Sequence, residues 1–357
     1  MKIGIYTIIT DNCYGAQLQA YATAHYLQQV FGDNVRVELV RIDIAHQRKN
    51  LRSHLKSCFP QEIIRRKRFE DFQNLSQVTH GYTCDEIANG ALEYDLHIVG
   101  SDQVWNVSHG MNNHLVYFLP FHTASPKIAL ASSFGTSSMP ENFKKEVHDY
   151  LSDFSSIAVR EADGVKILAE MGIKAEEIAD PTLWLDWNEW NDLAGEKPII
   201  TGDYIAAIGF ETSNQTPQKL MDCVRKNYCM PVVGLITSRK YHYDICRNTY
   251  GPREFLNVIK FSKLVVTSSF HTLVFSLLFK KDFFLLKHSE RNSRMENLLR
   301  RVGLTNRMLD GNLSNFSNSV SALSRIDYAP VTEKINEMRS SARKYIGSIV
   351  SRHHKNI

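Results

Sequence analysis

The segment Lys263–Phe279, KLVVTSSFHTLVFSLLF, admits few folds. Its apolar run Leu264–Val266 meets a polar break, Thr267-Ser268-Ser269, and an apolar helix then starts near His271. A strand without polar alternation needs both faces covered, which a parallel sheet achieves by helical crossovers. The segment therefore reads as the strand–loop–helix unit of a parallel sheet. Ligands of such sheets bind outside the carboxyl ends of the strands, where helix N-termini present N–H groups to anions. One histidine and three hydroxyls stand at that position. Two accounts are open: Ser268 or Ser269 caps the helix and His271 is an ordinary first-turn residue, or these groups face a ligand.

The rest of the chain repeats this alternation. Lys2–Ile8, Val35–Ile42, Asp95–Val99, Lys127–Ser132 and Ile157–Val159 read as strands, with helices over Ala16–Val30, His46–Gln77 and Val165–Met171. Trp184–Pro198 reads as a linker. Strands then follow at Tyr204–Phe210, Pro231–Ile236 and Asp282–Leu286, with helices over Pro217–Tyr228, Arg253–Phe261 and Ser293–Val302. The expected class is α/β, with two Rossmann-like domains facing a cleft, similar to the GT-B arrangement. The boundaries read as 1–185, 186–331 and a C-terminal basic helix or tail over 332–357. Ile335, Met338, Ala342, Tyr345 and Ile349 give that tail an apolar stripe.

The totals narrow the function. The chain has 357 residues, 43% hydrophobic and 22% charged, with a net charge of +4. That balance is too weakly basic to imply nucleic acid. The six cysteines are scattered without a CxxC pair, which fits reduced thiols in the cytoplasm. MKIGIYTI reads as a strand and not a signal peptide, and no apolar run reaches bilayer length. Work at a membrane would be peripheral, at its cytoplasmic face. The run Arg65-Arg66-Lys67-Arg68 is either a solvated helix face or a surface for anionic lipid or a diphosphate-bearing substrate.

Several turns carry polar groups at strand ends. Asp11, Asn12 and Tyr14 follow the first strand, where Asn12 and Gly15 could equally build a tight turn. Gly100-Ser101-Asp102-Gln103-Val104-Trp105-Asn106 sets hydrogen-bonding groups beside an aromatic ring, which suits a sugar; a capped turn over a core tryptophan is the alternative, and it accounts for the polar density less well. Arg160 ends a strand where a helix begins, a place for a phosphate or carboxylate clamp or for an ion pair with Glu161 or Asp163. GxGxxG is absent after the first strand, so no dinucleotide fingerprint is present.

Taken together, Asn12-Cys13-Tyr14-Gly15-Ala16-Gln17-Leu18-Gln19-Ala20-Tyr21-Ala22, the GSDQVWN turn, Ala131-Ser132-Ser133-Phe134-Gly135, Val159-Arg160-Glu161, Asp180-Pro181-Thr182-Leu183 and Ser269-Phe270-His271 resemble the polysaccharide pyruvyl transferase family. The likeness keeps the family's order from about residue 1 to about residue 304. It implies transfer of the pyruvyl group of phosphoenolpyruvate to a sugar, usually as a ketal, in bacterial surface polysaccharide synthesis. It implies no cofactor, with phosphoenolpyruvate as donor substrate, and no metal is required. The implied acceptor is a sugar on undecaprenyl diphosphate or a growing glycan; a homo-oligomer is compatible with it.

By this resemblance His271 matches the histidine lining the donor site. It is the expected acid or phosphate ligand, with Asp102 or Asp11 as base. Arg160, Ser268, Ser269, Arg239, Arg291 and Arg294 are expected around the donor. Asn12, Tyr14, Ser101, Gln103, Trp105 and Asn106 are expected around the acceptor. Three positions depart from the family's turns: Ser269 replaces an arginine of one branch, Ser268 an aspartate of the other, and Thr272 a common glycine. Competing functions are a nucleotide-sugar glycosyltransferase of the same architecture and a non-catalytic glycan-binding homologue.

Overall fold

The computed structural model describes residues 1–9, 12–43, 59–90, 92–107, 112–210, 216–236, 240–287, 292–309 and 325–353 (112–114 by backbone only). It divides into two compact units. The first comprises residues 1–52, 73–185 and 336–357, and the second residues 53–72 and 186–335.

The first unit is built on strands β1 (Lys2–Tyr6), β2 (Arg36–Ile42), β3 (Val78–Tyr82), β4 (Leu96–Val99), β5 (Lys127–Ser132), β6 (Phe154–Val159) and β7 (Glu176–Glu177). They form one sheet in the order β3-β2-β1-β4-β5-β6-β7, and every pairing is parallel. β4 and β5 are buried along their whole length, as a two-sided cover requires. The helix Tyr14–Phe31 crosses from β1 to β2 and buries most of its residues. Order reverses between β1 and β4, so the crevice beyond their carboxyl ends is a switch point.

The second unit holds β8 (Ile205–Ile208), β9 (Val232–Gly234), β10 (Ile245–Cys246), β11 (Leu264–Thr267), β12 (Asp282–Leu286) and β13 (Met308–Leu309). Their order is β10-β9-β8-β11-β12-β13, again all parallel. The switch point here lies between β8 and β11. Both sheets thus have the Rossmann arrangement.

Three assignments need correction. Trp184–Pro198 is not an open linker, because Trp187–Ala194 is a helix. The Glu189 carboxylate accepts from the Asp186 N–H at 2.6 Å, and Trp190 is fully buried edge-on against Phe275. The helix expected over His46–Gln77 is described only as Pro60–Gln73, since 44–58 lie outside the described residues. Its residues 60–72 group with the second unit, not with the sequence around them. Arg68 pairs with Glu254 at 3.2 Å and lies over the Tyr250 ring, so one cation of the basic run is a structural contact. Arg66 and Lys67 are exposed.

The C-terminal helix runs over Tyr328–His353, and its residues from 336 onward group with the first unit. Met338, Ala342, Ile346 and Ile349 are buried at spacings of three and four. Arg339 and Arg343 donate to the carbonyls of Leu183 and Trp184, so these basic residues bind backbone. No helix among the described residues is long and apolar enough to cross a membrane.

Candidate active site

The second unit places its polar break at the switch point. Thr267 ends β11 and its hydroxyl donates to the Ile208 carbonyl at 2.6 Å. The Ser268 hydroxyl donates to the Gly209 carbonyl at 2.7 Å, so both hydroxyls tie the end of β11 to the end of β8. Ser269 is the N-cap of the helix Phe270–Leu278, its oxygen accepting from the Thr272 N–H at 3.4 Å. The residues of this helix from His271 onward are all buried, which fixes its N-terminus against the sheet.

His271 lies in the first turn, edge-on to the Phe270 ring at 5.3 Å. The Arg294 guanidinium lies over the same Phe270 ring, 5.4 Å from its centroid. Ser268, Ser269, His271 and Arg294 are therefore gathered at one helix N-terminus, where the helix dipole favours an anion. The Thr272 hydroxyl is fully buried there without a hydrogen-bond partner among the described residues. Such a group costs stability unless something satisfies it. Asp11, Arg239 and Arg291 lie outside the described residues.

Gly209 is a site residue that sequence reasoning missed. Its φ is +78°, and a Cβ there would stand 2.5 Å from the Ser269 Cβ. Only glycine lets the end of β8 approach the cap so closely. The available signal was a glycine at the carboxyl end of an apolar run, which also marks ordinary strand ends.

In the first unit the separate polar turns join into one network. Ser133 N–H donates to the Asp102 carbonyl at 2.9 Å, and Arg160 N–H donates to the Ser132 carbonyl at 3.1 Å. The Ser133 hydroxyl and Phe134 N–H donate to the Glu161 carboxylate at 2.8 and 3.0 Å. Arg160 donates to Asp180 at 2.7 Å and stands 3.6 Å from Asp102 and 3.8 Å from Glu161. Asp180 also accepts from the N–H and hydroxyl of Thr182.

This corrects the clamp expected of Arg160. The side chain is buried, and its single positive charge is shared among three carboxylates. Burial opposes its charge, yet Asp180, Asp102 and Glu161 more than offset that, so its pKa is raised. It is not a spare cation for a phosphate. Trp105 is corrected too. It is fully buried, stacked on Phe118 at 5.4 Å, with its indole N–H donating to the Tyr117 carbonyl at 3.0 Å. An indole enclosed in this way offers no face to a sugar.

Ser101, Asn106 and Tyr14 are likewise buried, and Asn106 donates to Gln103 at 3.2 Å. Asn12 is exposed, and Gln103 and Asp102 are half-buried. Gly100 has φ +113°, and a Cβ there would collide with the Leu130 carbonyl, so the turn needs glycine. Among the described residues no group of three or more His, Cys, Asp or Glu is placed to hold a metal ion.

Two parallel Rossmann-like sheets with polar clusters at their switch points define a GT-B-type α/β protein. Solved structures share this fold. UDP-GlcNAc 2-epimerase of Methanocaldococcus jannaschii, in complex with UDP-GlcNAc and UDP, is 12% identical with a TM-score of 0.56, covering 95% of this chain and 99% of its own. A putative UDP-N-acetylglucosamine 2-epimerase of Listeria monocytogenes is 10% identical with a TM-score of 0.57, covering 99% and 97%. Anabaena HepE in complex with UDP and glucose is 11% identical with a TM-score of 0.53, covering both chains completely. Comparison with curated protein sequences finds none that matches. The model of the polysaccharide pyruvyl transferase family matches residues 14–290, well over half of the sequence, and the chain belongs to that family.

Proposed function

We propose that this transferase moves the pyruvyl group of phosphoenolpyruvate onto two hydroxyls of a sugar, forming a ketal and releasing phosphate. The observation that carries the reading is the turn at the β8–β11 switch point, where His271, Ser268, Ser269 and Arg294 meet at a helix N-terminus. A proton added to the methylene carbon of the donor creates an oxocarbenium-like centre beside its carboxylate. One sugar hydroxyl attacks that centre, phosphate leaves, and the second hydroxyl closes the ketal.

His271 is the acid or the phosphate ligand, since imidazole changes charge near neutral pH. With Arg160 committed to carboxylates, Arg294 and the helix N-terminus carry the donor's negative charge. The first unit supplies Asp102 among three carboxylates, a cluster that repels a dianion but accepts hydrogen bonds from hydroxyls. It therefore suits the acceptor, with Asp102 as base.

The acceptor is a lipid-linked or polymeric glycan. Phe59, Ile63 and Ile64 are exposed beside Arg66 and Lys67, which is the chemistry of a helix lying in an anionic interface. Vesicle pelleting should fall when Ile63 and Ile64 become serine. Pelleting that is absent in the parent, or unchanged in the variant, removes peripheral membrane contact from the reading.

UDP is the informative comparison ligand, because fold neighbours hold it. Phosphoenolpyruvate at 100 times its Kd should stabilise the native state by about 2.7 kcal/mol. Stabilisation by UDP without any by phosphoenolpyruvate favours a nucleotide-sugar enzyme instead.

A further inference from the structure

The second sheet carries a strongly basic cavity at its other end. Lys263 precedes β11, Lys281 precedes β12, and Asp203 lies just ahead of β8; all three line one cavity of about 520 Å³. Because the strands are parallel, this places it at their amino ends, away from Ser268 and His271. Lys280, Arg307 and Arg325 complete its positive lining, while Asp203 and Asp282 are its acids. Lys263 stands 3.5 Å from Asp203, and Arg307 stands 3.8 Å from Asp282.

That leaves Lys280, Lys281 and Arg325 without an ion pair among the described residues. Lys281 is half-buried, and burial, then Lys263 and Lys260, hold its ammonium below the ordinary lysine range. An ammonium in that setting is stabilised by an incoming anion. The Tyr328 hydroxyl donates to the Lys281 carbonyl, which ties the backbone at this point of the cavity wall to the C-terminal helix. Tyr228 adds an aromatic wall beside the cations. The cavity is concave and far larger than one phosphate ion.

We infer that this cavity is a second anion site, separate from the pyruvyl donor turn, and that it takes a small molecule bearing a diphosphate or phosphate ester. Lys280, Lys281 and Arg325 contact the phosphate oxygens, and Tyr228 borders the organic part. The site does not depend on the pyruvyl-transfer reading, since none of its residues belongs to the donor turn.

Inorganic pyrophosphate is the probe, with hydrogen–deuterium exchange of the full chain as readout. Binding should protect peptides covering 226–234 and 280–286. Lys281→Gln combined with Arg325→Gln should weaken that protection about tenfold in apparent Kd, while Lys281→Arg should retain it and His271→Asn should leave it unchanged. Melting temperatures of all variants check that they fold. No protection at millimolar pyrophosphate, equal binding by the folded double variant, or protection confined to 267–273 would overturn the inference. So would the same protection by phosphatidylglycerol vesicles with none by pyrophosphate, which would assign the cavity to a lipid headgroup.

Discussion

Arg160→Met lowers the stability of the first unit by about 3–5 kcal/mol, the range for removing one partner of a buried charge cluster. The guanidinium is the cation at the centre of Asp180, Asp102 and Glu161. Without it, Asp180 stays buried and loses its guanidinium partner, while the N–H and hydroxyl of Thr182 still donate to it. The urea midpoint should fall markedly, and adding Asp180→Asn should recover part of the loss, because the pair is coupled. An unchanged midpoint would mean that the cluster is solvated. The same experiment separates scaffold from clamp. A scaffold role predicts a normal KM for phosphoenolpyruvate in whatever fraction stays folded, whereas a donor clamp predicts a raised KM with stability intact.

His271→Asn has the second large effect. Proton delivery by a positioned side chain contributes about 10²–10⁴-fold, so phosphate release from phosphoenolpyruvate with acceptor present should fall by that amount. The fold should survive, since the apolar residues that anchor the helix Phe270–Leu278, namely Leu273, Val274, Phe275, Leu277 and Leu278, are untouched. Circular dichroism and the melting temperature control for this. Near-parental phosphate release by a folded variant would remove His271 from the chemistry and shift attention to the serines beside it.

The fold was legible where strands are buried on both faces. β5, β11 and β12 carry the apolar cores Ile128–Ala131, Leu264–Val266 and Phe283–Leu286, and their observed ends lie within a residue of those expected from the sequence. β3, with the sequence VTHGY, is half-buried except at the exposed His80 and carries no comparable run. β10 and β13 are two residues each, too short for any period to show. The helix Trp187–Ala194 was hidden by its polar residues, although Asp186 followed three positions later by Glu189 is a capping pattern. The grouping of residues 60–72 with the second unit follows from contacts such as Arg68 with Glu254, which chain order does not announce.

The site was legible in part for a similar reason. Residue chemistry identifies a polar turn, but not which side chains point inward. Trp105 and Arg160 were named because an aromatic ring and a guanidinium suit sugars and phosphates. Their burial depends on Phe118, Tyr117 and Asp180, which lie at least a dozen residues away in the chain. Gly209 has the opposite history: a residue without side-chain chemistry sets how closely β8 approaches the cap of the histidine helix.

The most direct test supplies phosphoenolpyruvate and lipid-linked glycan intermediates to the purified protein and weighs the glycans by mass spectrometry. The expected product is a new species heavier by one ketal-linked pyruvyl group, with one phosphate released for each group added. Glycans of unchanged mass and no phosphate release, with native acceptor and folded protein, would contradict it.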